Sequence, residues 1–304
     1  MSRVNVAVTG ASGFIGGLLT RKLLETGHAV HVLGRRLGAG LPAEVQFSEW
    51  RSMDVEPPAG SLASADAVVH LAGEPVAQRW TAEARRRIRD SRVNGTRNLL
   101  QALSKLAPRP GVLVSASAIG YYGPHGDEIL TENAPPGSDF LANLSVEWEQ
   151  AALAAEALGI RVVLPRIGVV LGKGGALARM LPPFRFGLGG RLGSGKQWMS
   201  WIHVQDLINL IVFALTSDAV RGPVNATAPH PVTNAEFTQA LAATLHRPAI
   251  FFVPAVALQF ALGEMATMVL GGQRVIPGAA ETAGFRFQYP DLAPALADLL
   301  AGKT

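Results

Sequence analysis

Several groups of residues in this 304-residue sequence have types and spacing suited to chemistry. The first is Thr9-Gly10-Ala11-Ser12-Gly13-Phe14-Ile15-Gly16, directly after an apolar run. A pyrophosphate needs a tight turn, a backbone it can approach and a helix that packs closely behind it. Gly10, Gly13 and Gly16 meet these needs in that order. The N–H groups that open the following helix, with Ser12, Phe14 and Ile15 in the turn, would face the phosphates. Position in a strand–turn–helix context is what makes a glycine triplet informative. The second group is Gly34-Arg35-Arg36, about twenty residues on. A dinucleotide site selecting NAD carries Asp or Glu there for the ribose hydroxyls. Here a guanidinium can fork onto a 2′-phosphate instead, so NADP(H) is expected, with Arg35 the principal contact and Arg36 beside it.

The third group is the hydroxyl-bearing run Ser115-Ala116-Ser117-Ala118-Ile119-Gly120-Tyr121-Tyr122-Gly123. Lys173 and Lys196 sit on glycine-rich segments, where they either meet an anionic substrate or are plain exposed loop lysines. His203 stands among apolar residues, as a structural histidine or as a base. Asp206 is expected to cap the helix that follows it. The seven histidines lack metal-ligand spacing and the chain has no cysteine, so no metal site, disulfide or thiol nucleophile is expected.

Composition narrows the classes further. With 48% hydrophobic and 16% charged residues, the chain is set to fold rather than stay disordered. Its net charge of +4 owes much to Arg85, Arg86, Arg87, Arg89 and Arg92. Without interleaved aromatics that run reads as a solvated helix face with one or two inward arginines, not a nucleic-acid surface. The apolar stretch Ile250–Gly272 contains Pro254 and Glu264, which disfavour a lipid-crossing helix; a buried or groove-lining helix pair is expected, and no membrane partner. The first apolar run is too short for a signal peptide, which points to the cytoplasm.

These groups need elements to hold them. Apolar runs at Val4–Val8, Ala29–Leu33, Val45–Phe47, Ala67–Leu71, Gly111–Val114 and Ile160–Leu164 read as strands. They alternate with helical stretches, including Thr81–Leu106 and Val146–Leu158. That alternation predicts a doubly wound α/β fold with a parallel Rossmann sheet. From Gly168 the pattern loosens into a smaller C-terminal substrate-binding lobe, with helices expected at Thr233–Leu245 and Leu292–Leu300, while a helix at Leu207–Leu215 is expected to rejoin the main sheet layer. The expected division gives residues 1–167, with 200–232 returning, to the nucleotide domain. Residues 168–199 and 233–304 form the lobe.

Taken together, these motifs resemble the extended short-chain dehydrogenase/reductase superfamily. His70-Leu71-Ala72-Gly73 looks like its cofactor-side motif, which implies that Leu71, Ala72 and Gly73 flank the adenosine. Ser117 stands at the catalytic serine position, beside a Tyr-Gly pair. Trp201-Ile202-His203-Val204-Gln205-Asp206 is similar to a segment of sugar-nucleotide epimerases. Ser91-Arg92-Val93, Trp148-Glu149, Leu262–Ala266 and Gly271–Pro277 resemble one subgroup, labelled epimerase-family or SulA-like proteins. The resemblance implies NADP(H) binding with Arg92 among the contacts, a small-molecule substrate, and a homodimer as in many relatives.

One departure matters. The superfamily's proton exchange uses a tyrosine and a lysine four residues later. Aligning on Trp148-Glu149 places Leu141 and Ser145 at those positions, and no lysine lies between Lys105 and Lys173. Three readings stay open: Tyr121 or Tyr122 acts as a relocated acid, substrate or water moves the proton, or the protein binds NADP(H) without turnover. For each tyrosine alone, simple packing over the nicotinamide is the competing reading.

Overall fold

A computed structural model describes residues 3–38, 40–58 and 60–301. Its centre is a parallel sheet built from β1 (Asn5–Thr9), β2 (Ala29–Gly34), β3 (Gln46–Glu49), β4 (Ala67–His70), β5 (Val112–Ser115) and the strands Arg161–Ile167 and Gly222–Ala226. Across the sheet the order is Gly222–Ala226, Arg161–Ile167, β5, β4, β1, β2, β3, with Ser117–Ala118 pairing the end of Arg161–Ile167. Strand order reverses between β1 and β4, which opens a crevice beyond their carboxyl ends. β1, β4 and β5 are apolar on both sides because helices cover both faces. The expected doubly wound sheet is what forms.

Helix α1 (Phe14–Glu25) and the helix Val204–Thr216 lie on one face, over Val6, Val8, Val32, Val69 and Val114. Helices α2 (Ala82–Ser104) and α3 (Phe140–Leu153) cover the other, over Ala7, Val68 and Leu113. Thr81 caps α2 by accepting from the Ala84 N–H. Arg85 and Arg92 are the inward arginines of the basic run, lying over Phe140 and Trp148.

Three expectations need correction. Helix α3 begins at Phe140, six residues before the expected start, because Asp139 accepts from the Ala142 N–H and caps it. The helix after Trp201 begins at Val204, with His203 as its cap: Nδ1 accepts from the Gln205 N–H. Asp206 is therefore inside the first turn, buried, where it accepts from the N–H groups of Gln288 and Tyr289 and ties down the C-terminal segment. Finally, of the helix pair expected after Ile250 as buried or groove-lining, the helix Ala255–Leu262 has no buried residue, and Ala266 is the one buried in the helix Ala266–Leu270. Among the described residues no helix is long and apolar enough to cross a membrane.

The rest of the chain builds a second core, with Leu171, Leu177, Trp201, Phe237, Leu241 and Leu296. Helix Asn234–Thr244 carries a capping box between Thr233 and Glu236, and Leu292–Leu300 is helical as expected. The segment Ala279–Phe287 returns to pack under the main sheet.

Candidate functional site

The crevice is a cleft of about 570 Å³, walled by the glycine turn, the ends of β2 and β4, and the loops that follow β3 and β4. Each glycine of the turn has a distinct steric reason. Gly10 has φ +75°, and a Cβ there would lie 2.7 Å from the Leu71 carbonyl carbon. A Cβ on Gly16 would lie 2.3 Å from the Gly10 carbonyl oxygen, so α1 can begin this close to the turn only with glycine. Gly13 is exposed and caps α1 without any side-chain bond, leaving the helix N-terminus open to an anion.

Of the predicted cofactor contacts, Gly10, Ser12, Gly13, Gly34, Arg35, Arg36, Leu71, Ala72 and Gly73 line this cleft. Phe14, Ile15, Gly16 and Arg92 do not. The Phe14 ring is pressed against Gly172 and Gly174, whose missing side chains make room for it. Ile15 packs in the core, and Gly16 is buried within α1. These three bring only backbone to the turn. Arg92 donates to the Glu74 and Ile88 carbonyls, and its guanidinium lies against Gly73, so it holds the loop after β4 in place. Burial lowers its pKa to about 10, which still leaves it charged at neutral pH. Cleft residues that no motif marked are Trp50, Arg51, Ser52, Met53, Asp54, Glu74, Pro75 and Asp90, while Arg87 of the basic run and Ser91 of the Ser91-Arg92-Val93 motif also line it without having been expected there. The unmarked residues come from two loops and α2.

Behind the loop, His70 ends β4 fully buried, with Nδ1 2.7 Å from Thr9 Oγ1. Burial, aided by the Arg92 charge, lowers its pKa to about 4, so it is neutral at pH 7.

At the end of β5 the structure joins residues that lie far apart in sequence. The Ser117 hydroxyl donates to Glu149 Oε1 at 2.6 Å. Arg166 grips the same carboxylate through Nε and Nη2, both at 2.8 Å. Its Nη1 donates to Tyr122 Oη at 2.9 Å and to the Glu132 carbonyl at 3.2 Å. Tyr122 in turn donates to Asn225 Oδ1 at 2.7 Å. Arg166 is 2% exposed and Glu149 5%. Burial pulls the Arg166 pKa down, but the bonds and charge of Glu149 outweigh it and hold the guanidinium above its ordinary value. Burial pushes the Tyr122 phenol up against the pull of Arg166.

This network separates the two tyrosine candidates. Tyr122 is fully buried and its hydroxyl is bonded on both sides, which removes it as a relocated acid. Tyr121 is half-buried, with the Arg166 guanidinium 3.5 Å from its ring centre. Leu141, at the usual tyrosine position, lies against Gly120, and Ser145 is buried one turn along α3. The sequence reading quoted Glu149 without a role and passed over Arg166, Glu132 and Asn225. A signal existed: arginine inside the apolar run Val162–Ile167 demands a buried partner.

The remaining candidates resolve as follows. Lys173 and Lys196 are exposed. His203 is structural: it caps a helix, stacks on Tyr289 at 3.9 Å and has Nε2 3.3 Å from Asp298. The Gly271–Pro277 motif is tied to the strand Trp201–His203 through its neighbour Ser200, whose Oγ donates to the Gln273 carbonyl and accepts from the Val275 N–H. Among the described residues no group of three or more His, Asp or Glu could hold a metal.

Comparison with known proteins agrees with this geometry. Residues 6–226 match the NAD dependent epimerase/dehydratase family, and residues 253–299 match a domain of unknown function. The chain is 44% identical to the chloroplastic epimerase family protein SDR39U1 homolog of Arabidopsis thaliana, covering 97% of this chain and 86% of that protein. It is 39% identical to the epimerase family protein YfhF of Bacillus subtilis, over 99% of both. The crystal structure of human epimerase family protein SDR39U1 with NADPH superposes with a TM-score of 0.87 at 36% identity, covering 97% of this chain and 98% of that one. The fold expected from the glycine turn, the strand order observed and these relatives agree: the chain belongs to the NAD dependent epimerase/dehydratase family.

Proposed function

We propose that this protein is an NADP(H)-dependent oxidoreductase or epimerase-like enzyme acting on a small molecule, with sugar nucleotides the first class to test. The observation that carries the reading is the cleft: an open helix N-terminus at one side, and Arg35, Arg36 and Arg51 where the second and third strands end. The human relative crystallised with NADPH supports the same cofactor here. Gly10, Ser12 and Gly13 would hold the pyrophosphate, Leu71 and Ala72 the adenosine, and Arg35 the 2′-phosphate. Bound in this cleft, the dinucleotide supplies a hydride donor or acceptor.

The chain's own contribution is orientation and one proton. Because Ser117 donates to Glu149, it meets a substrate hydroxyl as an acceptor. Tyr121 is the phenol left for proton exchange, with the Arg166 guanidinium 3.5 Å from its ring centre. A second reading, NADP(H) binding without turnover, is favoured by Leu141 and Ser145 at the usual acid–base positions. Nicotinamide absorbance, followed with NADPH or NADP⁺ against sugar nucleotides, quinones and carbonyl compounds, separates the two. Turnover that Ser117→Ala abolishes while NADPH binding persists is the expected result. Tight binding with no turnover across the panel favours the second reading.

A further inference from the structure

Much of the apolar stretch expected as a buried or groove-lining helix pair forms an exposed surface. Phe260 is 92% exposed, Phe186 and Ile250 80%, Val256 74%, Leu188 61% and Phe252 59%. They come from neighbouring segments. The strand Gly190–Leu192 pairs in parallel with Phe251–Val253, the turn at Gly187 lies beside Pro248, and the Gly193 N–H donates to the Val253 carbonyl. Solvent-exposed apolar groups gathered this densely mark a contact surface.

Charge identifies what the surface contacts. Residues 174–199 and 245–263 contain no Asp or Glu, while Arg179, Arg185, Arg191, Lys196 and Arg247 are all exposed there. None of the five has a salt-bridge partner among the described residues, and Glu264, just beyond, is paired with Arg85. A two-fold contact between copies would set these five cations against themselves, and neither segment carries a carboxylate to offset them. Side chains 80–92% exposed project outward, and are not the walls of a groove that would seat a peptide.

We propose that this face docks the protein on an anionic lipid surface, with Phe186, Ile250 and Phe260 entering the boundary between headgroups and acyl chains and the five cations meeting lipid phosphates. This is peripheral contact, which needs no spanning helix. Each cation near such a surface contributes about fivefold in binding, and the effect fades with salt. None of these residues lines the cleft of the glycine turn, so the contact is tested separately from cofactor binding there.

The test is flotation of the purified protein with phosphatidylglycerol/phosphatidylcholine vesicles and with phosphatidylcholine alone, alongside analytical ultracentrifugation. Binding to the anionic vesicles only, weakened at high salt, is expected. Phe186→Ser/Phe260→Ser should reduce it at least tenfold, and Arg185→Gln/Arg247→Gln about 25-fold, with the thermal midpoint unchanged in both. No binding to anionic vesicles, equal binding to neutral ones, or a dimer that Phe260→Ser dissociates would overturn the proposal.

Discussion

The buried network around Arg166 gives the sharpest energetic prediction. Arg166→Met keeps the length and apolar bulk of the side chain but removes four hydrogen bonds, two of them to the Glu149 carboxylate. Glu149 then stays 5% exposed with only the Ser117 hydroxyl to satisfy it. Leaving one partner of a buried pair uncompensated costs about 3–5 kcal/mol, a large part of the roughly 5–15 kcal/mol that stabilises a typical domain. Glu149→Gln is milder, about 2 kcal/mol, because the amide still accepts and the guanidinium keeps Tyr122 and the Glu132 carbonyl. In the double variant no unpaired charge remains, so its cost should fall short of the summed singles by about 2 kcal/mol. Urea unfolding followed by tryptophan fluorescence reads all four proteins, since Trp148 is buried one residue from Glu149. An Arg166→Met cost below about 1 kcal/mol, or strict additivity across the cycle, would refute the claim that this pair is a coupled buried unit.

Three other predictions follow from the cleft. Arg35→Asp should weaken NADPH binding about 100-fold, through the lost charge-assisted bonds and added repulsion, while NADH changes little; titration calorimetry giving equal losses would remove the 2′-phosphate assignment. His70 binds its proton in the unfolded chain near 6.5 but in the fold only near 4. Its contribution is therefore complete above pH 6.5 and is lost as pH falls towards 4. At about 1.4 kcal/mol per pH unit the loss is about 3 kcal/mol, and His70→Asn should flatten urea-derived stability between pH 7 and 4 by that amount. Gly16→Ala places a methyl 2.3 Å from the Gly10 carbonyl. It should cost at least about 2 kcal/mol and abolish NADPH binding, as a melting curve and a fluorescence titration would report.

Much of the nucleotide half was legible because its signals are local. Gly13 and Gly16 are required by contacts with Gly10 within one turn, and the apolar runs that form β1, β4 and β5 mark strands covered on both faces. The helix expected at Thr233–Leu245 was legible for the same reason. Helix α3 was misplaced because its cap, Asp139, follows a Pro-Pro-Gly-Ser loop with no apolar period to mark the start. Asp206 was misread because cap and first-turn carboxylates look alike in sequence; only its bonds to Gln288 and Tyr289 tell them apart.

The sequence by itself determined the parallel sheet, the glycine turn that opens α1 and the pair of arginines that ends at the cleft after β2, because residue type and short-range spacing suffice for each. The resemblance to the short-chain dehydrogenase/reductase superfamily implies that Leu141 and Ser145 stand where its acid–base pair would be. Tertiary structure alone decided how the remaining hydroxyls are used. Ser117, Tyr122, Glu149, Arg166 and Asn225 span more than a hundred positions and meet only because the sheet brings strand ends together. Burial decided the rest: the same kind of apolar run is core in β1 and exposed surface at Phe251–Leu262, and that difference depends on what the fold lays against each.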